Sequence, residues 1–347
     1  MVRCKGFSLA ELAVTMLIVS LLLAGALIPF GTQIDLKNVA DTQRTMDSIR
    51  EAMVGFAQAN GRLPCPASGT IATGAANAGT EQFVSGQCSA NEGVVPWATL
   101  GVPETDGWGR RFSYYVVKEI SDGNTTVAVM AASNPGLISV TTAANHGYST
   151  GDVINISGVT GNTAANGDWT VTVSTATQFT LNGSAGNGSY ISGGTASKGT
   201  WSAAGQWGLL AQNPACTPTP LPNQPASFAL CTQGVLTVNT RDDMHNANPI
   251  GIKLPAVIIS HGKNGYGAYT PAGSLIAAPA GWAGSDEAVN AFHAATTGIY
   301  YNRTPTRPAS GCNDPAAGSS FCEFDDLVVM ITSNVLIARM VSAGRLP

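Results

Sequence analysis

Charge is what this sequence has least of. Only 11% of its 347 residues are Asp, Glu, Lys or Arg, where an ordinary globular chain carries roughly 25%. The 17 cations stand against 21 anions, for a formal charge of −4. So thin a supply of Lys and Arg excludes a nucleic-acid binder, which needs a clustered basic footprint. No Cys-x-x-Cys pair or Cys/His cluster occurs either, so a structural zinc site has no donor set. Disorder is excluded from the other side, because apolar residues make up 44% and can bury one sizeable core or two smaller ones. What is abundant is glycine, with 40 residues, and proline, with 19. That texture is common outside the cytoplasm.

Residues 7–30 read FSLAELAVTMLIVSLLLAGALIPF, long enough as a helix to cross a hydrocarbon core of ~30 Å. Arg3 and Lys5 precede the run, which keeps the extreme N-terminus cytoplasmic and sends the rest outward. A cleaved secretory signal, with Ala24-Gly25-Ala26 offered to a peptidase, is one simple reading, and a plain anchor is another. Neither explains Glu11. A carboxylate inside a membrane helix is costly and marks function.

The stretch Lys5-Gly6-Phe7-Ser8-Leu9-Ala10-Glu11 resembles the cleavage site of type IV prepilins and type II secretion pseudopilins. The resemblance implies cutting by prepilin peptidase after Gly6, methylation of the new N-terminal Phe7, and an assembly role for Glu11. In a stacked fibre the Glu11 carboxylate of one subunit can meet the Phe7 ammonium of its neighbour. Either charge alone would bear a desolvation cost of several kcal/mol, so pairing favours one docking register. Other pilins and an inner-membrane assembly platform are then the partners. The location implied is a single pass in the inner membrane with a periplasmic head, and afterwards a fibre that can reach the cell surface.

From Thr42 to Asn60 the apolar residues Met46, Ile49, Met53 and Phe56 recur at three- and four-residue steps, giving one apolar face. Asn60-Gly61 supplies a C-terminal cap and Pro64 blocks continuation. A helix over 7–59 would measure ~80 Å, kinked or loosened at Pro29 and Gly31.

Beyond Gly61 turn residues multiply. Gly93–Val117 resembles the first part of pseudopilin-like heads, with Asp106-x-Trp108-Gly109 as a tight turn, Trp108 anchoring the core, and Phe112, Tyr114 and Tyr115 on the strand that follows. Phe324–Pro347 resembles their closing strand and short helix. Between them, Pro135–Gly199 is rich in Thr, Gly, Asn and Ser and alternates as strands do, for instance Trp169–Val173 and Gln178–Leu181. This segment resembles a small β-module of phage tail-like proteins, one akin to the first catalytic cysteine half-domain of ubiquitin-activating enzymes. It contains no Cys and implies no ubiquitin chemistry. The fold expected is α+β: a leader at 1–6, a membrane and assembly helix at 7–60, an antiparallel head at 61–134 and 200–347, and an inserted all-β module at 135–199.

Cys4 leaves with the leader, so the mature chain keeps Cys65, Cys88, Cys216, Cys231, Cys312 and Cys322. An even count in an exported, loop-rich domain points to disulfides. Proximity favours Cys65–Cys88, Cys216–Cys231 and Cys312–Cys322, each loop worth about 3 kcal/mol.

Enzymatic motifs are present only in outline. Gly147-Tyr148-Ser149-Thr150-Gly151 fits Gly-x-Ser-x-Gly, but a strand pattern follows where a nucleophile elbow needs a helix. Ser260-His261-Gly262-Lys263-Asn264-Gly265 follows an apolar strand, with no partner carboxylate indicated; it reads as a turn. Asp242-Asp243-x-His245 and Asp325-Asp326 are the only dense acidic sites. Calcium takes six to eight oxygens, so neither pair makes a site by itself. No cofactor is expected, with calcium the one alternative. The function expected is structural: a minor pilin or pseudopilin, not an enzyme. A membrane-anchored adhesin outside any fibre is the runner-up.

Overall fold

The computed structural model describes residues 9–84, 86–123, 126–134, 136–198, 228, 233–279, 281–291 and 298–346. Helix α1 spans Leu9–Asn60, and its helical assignment passes through Pro29 and Gly31 without a break. It ends where Gly61 turns left-handed, at φ 75°, and the Gly61 N–H donates to the Ala57 carbonyl at 2.8 Å. Met46, Ile49 and Met53 are fully buried, as their spacing requires. Phe56 is not. It is half-buried beneath the Arg62 guanidinium at 5.2 Å, and Val54 and Ala57 take the inward positions instead.

A short hairpin follows, β1 (Phe83–Val84) and β2 (Gln87–Cys88), then β3 (Glu92–Val94), helix α2 (Trp97–Leu100), β4 (Ser113–Val116) and helix α3 (Lys118–Ser121). Six strands come next: β5 (Thr126–Ala132), β6 (Ser139–Thr142), β7 (Val153–Ser157), β8 (Gly167–Thr175), β9 (Gln178–Leu181) and β10 (Thr195–Lys198). The chain then forms β11 (Leu236–Arg241), β12 (Ala247–Leu254), β13 (Ala256–Ser260), helix α4 (Asp286–Ala291), β14 (Ile299–Tyr301), β15 (Leu327–Ile331) and helix α5 (Ser333–Ser342). The architecture is α+β.

The head holds a four-stranded antiparallel sheet in the order β15-β13-β4-β3. A second sheet, β12-β11-β14, is mixed, because β11 and β14 run parallel. One apolar core gathers Met46, Ile49, Met53 and Ala57 of α1 with Tyr114, Val116, Val257, Ile258 and Ile331 of the first sheet and Leu336 and Met340 of α5. Every residue of β4 and β13 is buried. The turn before β4 is built by Asp106, whose Oδ1 accepts the N–H groups of Trp108 and Arg110 at 2.9 Å each. Trp108 does not anchor the core. It is only half-buried, and the deep aromatic rings are Phe112, Tyr114 and Tyr115. The turn presses on α1 instead: the Gly107 N–H donates to Thr42 Oγ1 at 2.9 Å, and a Cβ there would meet the Asn38 carbonyl oxygen at 2.8 Å.

The inserted module is a closed barrel, β10-β5-β6-β9-β8-β7. Alternation along β6, β7 and β9 fills most of it: Val140, Ile154, Ile156, Phe179 and Leu181 point inward with Val171 and Tyr148. The barrel begins at Thr126, upstream of the Pro135 that composition indicates. Strand β5 reads TVAVMAA, an apolar sequence whose texture is that of the head, although its partners β6 and β10 belong to the barrel.

Candidate functional site

Glu11 sits in the first turn of α1 with its side chain exposed. Around it Leu9, Leu12, Val14, Met16 and Leu17 are each more than half exposed, an apolar surface that water alone does not favour. Gly6 and Phe7 lie outside the described residues. Among the described residues no helix is long and apolar enough to cross a membrane; the side chains at 21–32, the middle of the apolar run, lie outside them too.

Cys65–Cys88 and Cys312–Cys322 form disulfides, with Cα–Cα separations of 5.3 and 5.0 Å. Cys216 and Cys231 lie outside the described residues. The first bond ties the segment after α1 to strand β2. Beside it Arg62 makes a fork-shaped pair with Glu81, at 2.8 Å to each carboxylate oxygen.

The chemically densest place in the head lies where β4, β13 and β15 end together. Ser113 Oγ and His261 Nε2 are 2.8 Å apart. His261 Nδ1 stands 3.5 Å from Asp326 Oδ1, out of line for a hydrogen bond, and neither atom has a hydrogen-bond partner. The carboxylate that the sequence did not reveal for His261 is therefore Asp326. The three residues are in the order of a Ser–His–Asp relay. They are exposed by only 3%, 0% and 2%, and no substrate reaches a hydroxyl buried at the start of a fully buried strand. The Ser113–His261 bond and the Asn290–Asp326 bond tie the sheet end together.

Two further carboxylates adjoin it. Ligand oxygens of Glu287, Asp325 and Asp326 lie within 4.8 Å of one another. Asn290 donates to Asp326 Oδ2 at 2.8 Å, the Asp325 N–H donates to Glu287 Oε1 at 2.6 Å, and Asn264 donates to Glu287 Oε2 at 2.9 Å. Burial, reinforced by the charges of Asp326 and Asp325, pushes the Glu287 carboxyl up to about 9. Burial likewise raises Asp325 to about 6. Such a group either keeps a proton or holds a divalent cation in its place. Asp325-Asp326 was legible as a dense pair, whereas Glu287 was missed because its place depends on α4 folding back beside β15.

The other acidic site does not gather. Asp242 caps its own loop, accepting from the N–H groups of Met244 and Asn246 at 3.0 and 2.9 Å. Hydrogen bonds, first that from the Asn246 side chain, hold its carboxyl below the usual value. His245 Nδ1 turns away to the Asp314 carbonyl at 2.8 Å. Ser149 is exposed on the barrel and is followed by strand β7, so the Gly-x-Ser-x-Gly match is a turn.

Residues 1–27 match the family model of the prokaryotic N-terminal methylation motif, so the chain carries a prepilin-type N-terminus. Residues 133–199 match that of the ubiquitin-activating enzyme E1 FCCH domain, which coincides with the barrel apart from β5. A comparison with curated proteins returned no match.

Proposed function

We propose that this chain is a minor pilin or pseudopilin, a structural subunit of a type IV pilus or a type II secretion fibre. The observation that carries the reading is the methylation motif over residues 1–27, set at the head of a helix that continues to Asn60. In this reading α1 is laid against the head's sheet as in a pilin. Prepilin peptidase cuts after Gly6, and Phe7 becomes an N-methylated terminus in the inner membrane. Other pilins then dock on the exposed apolar surface around Glu11, with the assembly platform beneath and the head in the periplasm. A head carrying an inserted barrel fits a low-copy or tip position better than a regular shaft. No catalysis is part of this reading; the Ser113–His261–Asp326 grouping found among the described residues is sealed. Among the described residues, calcium would enter at Glu287, Asp325 and Asp326, and the calcium dependence of thermal unfolding after EDTA treatment decides whether it does.

Mass spectrometry of the membrane-extracted protein tests the proposal. The mature chain should begin with N-methyl-Phe7, and Gly6→Val should block processing. A protein that keeps residues 1–6 would instead support the runner-up, a membrane-anchored adhesin. Glu11→Ala should leave processing and head folding intact but reduce incorporation into sheared fibres sharply.

A further inference from the structure

Beside the buried carboxylates the head opens a pocket of about 550 Å³, within the size range of small-molecule sites. Two aromatic rings line it, Tyr266 and Trp282, with centroids 5.7 Å apart and planes at 72°. The Cys312–Cys322 disulfide and Pro308 form a further part of the wall. These groups are fixed before any ligand arrives. The Trp282 indole N–H is directed at Glu287 Oε2, 3.4 Å away, and the Tyr266 N–H is tied to Asn264 Oδ1 at 3.0 Å. The Cys322 carbonyl accepts from Arg303 at 3.1 Å.

The charge of the pocket has one sign. Glu323 lines it, and among the described residues no Lys, Arg or His does. Asp325 and Asp326 follow it two and three residues along the chain. Of the nearby cations, Arg303 lies between Asp286 and Asp314 at 2.9 and 3.1 Å and Lys263 is paired with Asp35 at 2.7 Å, while Arg307, next to the lining residue Pro308, is exposed. The hydrogen-bonding equipment is sparse. Besides Glu323, the lining's polar side-chain groups are the Ser285 and Ser310 hydroxyls, the Tyr266 phenol and the Trp282 indole N–H; the indole is directed at Glu287, and the Ser285 hydroxyl is occupied, donating to the Trp282 carbonyl at 2.8 Å and accepting the Ala288 N–H at 3.0 Å.

We propose that this pocket binds an organic cation of the quaternary ammonium class, with its methyl groups against Trp282 and Tyr266 and its charge facing Glu323. Aromatic faces attract such cations through the ring quadrupole, most strongly when water is excluded. A saccharide would need amide or carboxylate donors and acceptors around its hydroxyls, and the lining has almost none. A primary ammonium would lose three strong hydrogen bonds to water and regain few. A quaternary ammonium has none to lose. An anionic ligand would be repelled by Glu323.

The test uses full-length protein in polyoxyethylene micelles after EDTA treatment, titrated with choline chloride and followed by ligand-observed NMR and calorimetry. Saturable binding is expected, competed by tetramethylammonium. Trp282→Ala and Glu323→Gln should each weaken it by about tenfold or more, and Tyr266→Phe, which keeps the ring, should not. Should Trp282→Ala fail to fold, Glu323→Gln carries the comparison. Glucose or lysine methyl ester binding as tightly as choline would overturn the proposal. So would choline affinity unchanged in Glu323→Gln.

Discussion

The barrel and the head solve the same problem with opposite materials. Over residues 126–198 the barrel contains three charged residues, Asp152, Asp168 and Lys198, and its interior is a single apolar cluster filled by alternation. The head buries Arg111, Asp286, Glu287, Asp314 and His261 almost completely and adds two disulfides. Arg111 alone reaches Glu104 and the carbonyls of Gly69, Ile71 and Pro271, at 2.8–3.0 Å. Closing a barrel satisfies its strand edges internally and leaves only its loops to buried polar groups, His146, Asp152 and Asn162. The head's irregular loops have no ladder to satisfy them. Buried side chains take over that work, and the loops become dependent on each other.

The sharpest way to break this contrast is to remove one buried charge from the head. Arg303 holds Asp286 and Asp314 together, so Arg303→Ala leaves Asp314 without its cation and Asp286 with Arg241 alone, and should cost about 3–5 kcal/mol. In a urea titration followed by NMR, head resonances should be lost early while barrel resonances persist. Simultaneous loss of both would show that the two regions unfold as one.

Reduction comes next. Cleaving Cys65–Cys88, which closes a separation of 23 residues, should lower head stability by roughly 3 kcal/mol and leave the barrel midpoint unmoved. Chemical denaturation with and without reductant measures both.

The response to pH distinguishes the regions without mutation. Glu287 is raised from 4.5 to about 9, so the folded head holds a proton that the unfolded chain releases. That contribution is complete below pH 4.5 and is lost as the pH rises toward 9. The head's urea midpoint should therefore fall across this window. Glu287→Gln, which copies the protonated form, should flatten the decline. An unchanged slope in Glu287→Gln would assign the effect elsewhere.

The smallest effect should come from the largest deletion. Replacing Thr126–Lys198 by a short Gly/Ser bridge should alter head stability by less than about 1 kcal/mol, judged by the near-ultraviolet signal of Trp97, Trp108 and Trp282. Cutting at Pro135 instead leaves β5 without its partners, and the resulting protein should aggregate. Equal behaviour of the two deletions would mean that β5 belongs to the head after all.

Local features were legible in the sequence because their causes are local. The Gly61 cap, the Met46–Ile49–Met53 face, the strands around Trp169 and Phe179 and the two observed disulfides each depend on a few neighbouring residues. What escaped depends on pairing. Ser260 and Leu327 are register partners of β13 and β15, and that register alone brings His261 beside Asp326. Each motif ended an apolar strand in plain view, but nothing in either segment names the other. Trp108 escaped for a different reason. The turn it belongs to is held by Asp106, which bonds Ser260 at 2.7 Å as well as its own backbone, so the carboxylate and not the indole is the anchor.

The barrel's closure has a mechanical consequence. Strands β5 and β10 are antiparallel neighbours, with Thr126 opposite Ser197 and Ala128 opposite Thr195, so the chain enters and leaves through the same end of one ladder. A load drawn along the polypeptide would pull those two ends apart and open the ladder bond by bond, starting at Thr126–Ser197, instead of shearing all of it at once. Because β4 and β13 pair directly across the insertion, tension along the chain is borne first by the head sheet, and the barrel is loaded only once that pairing parts. It is a reserve of length held behind a stiff mount.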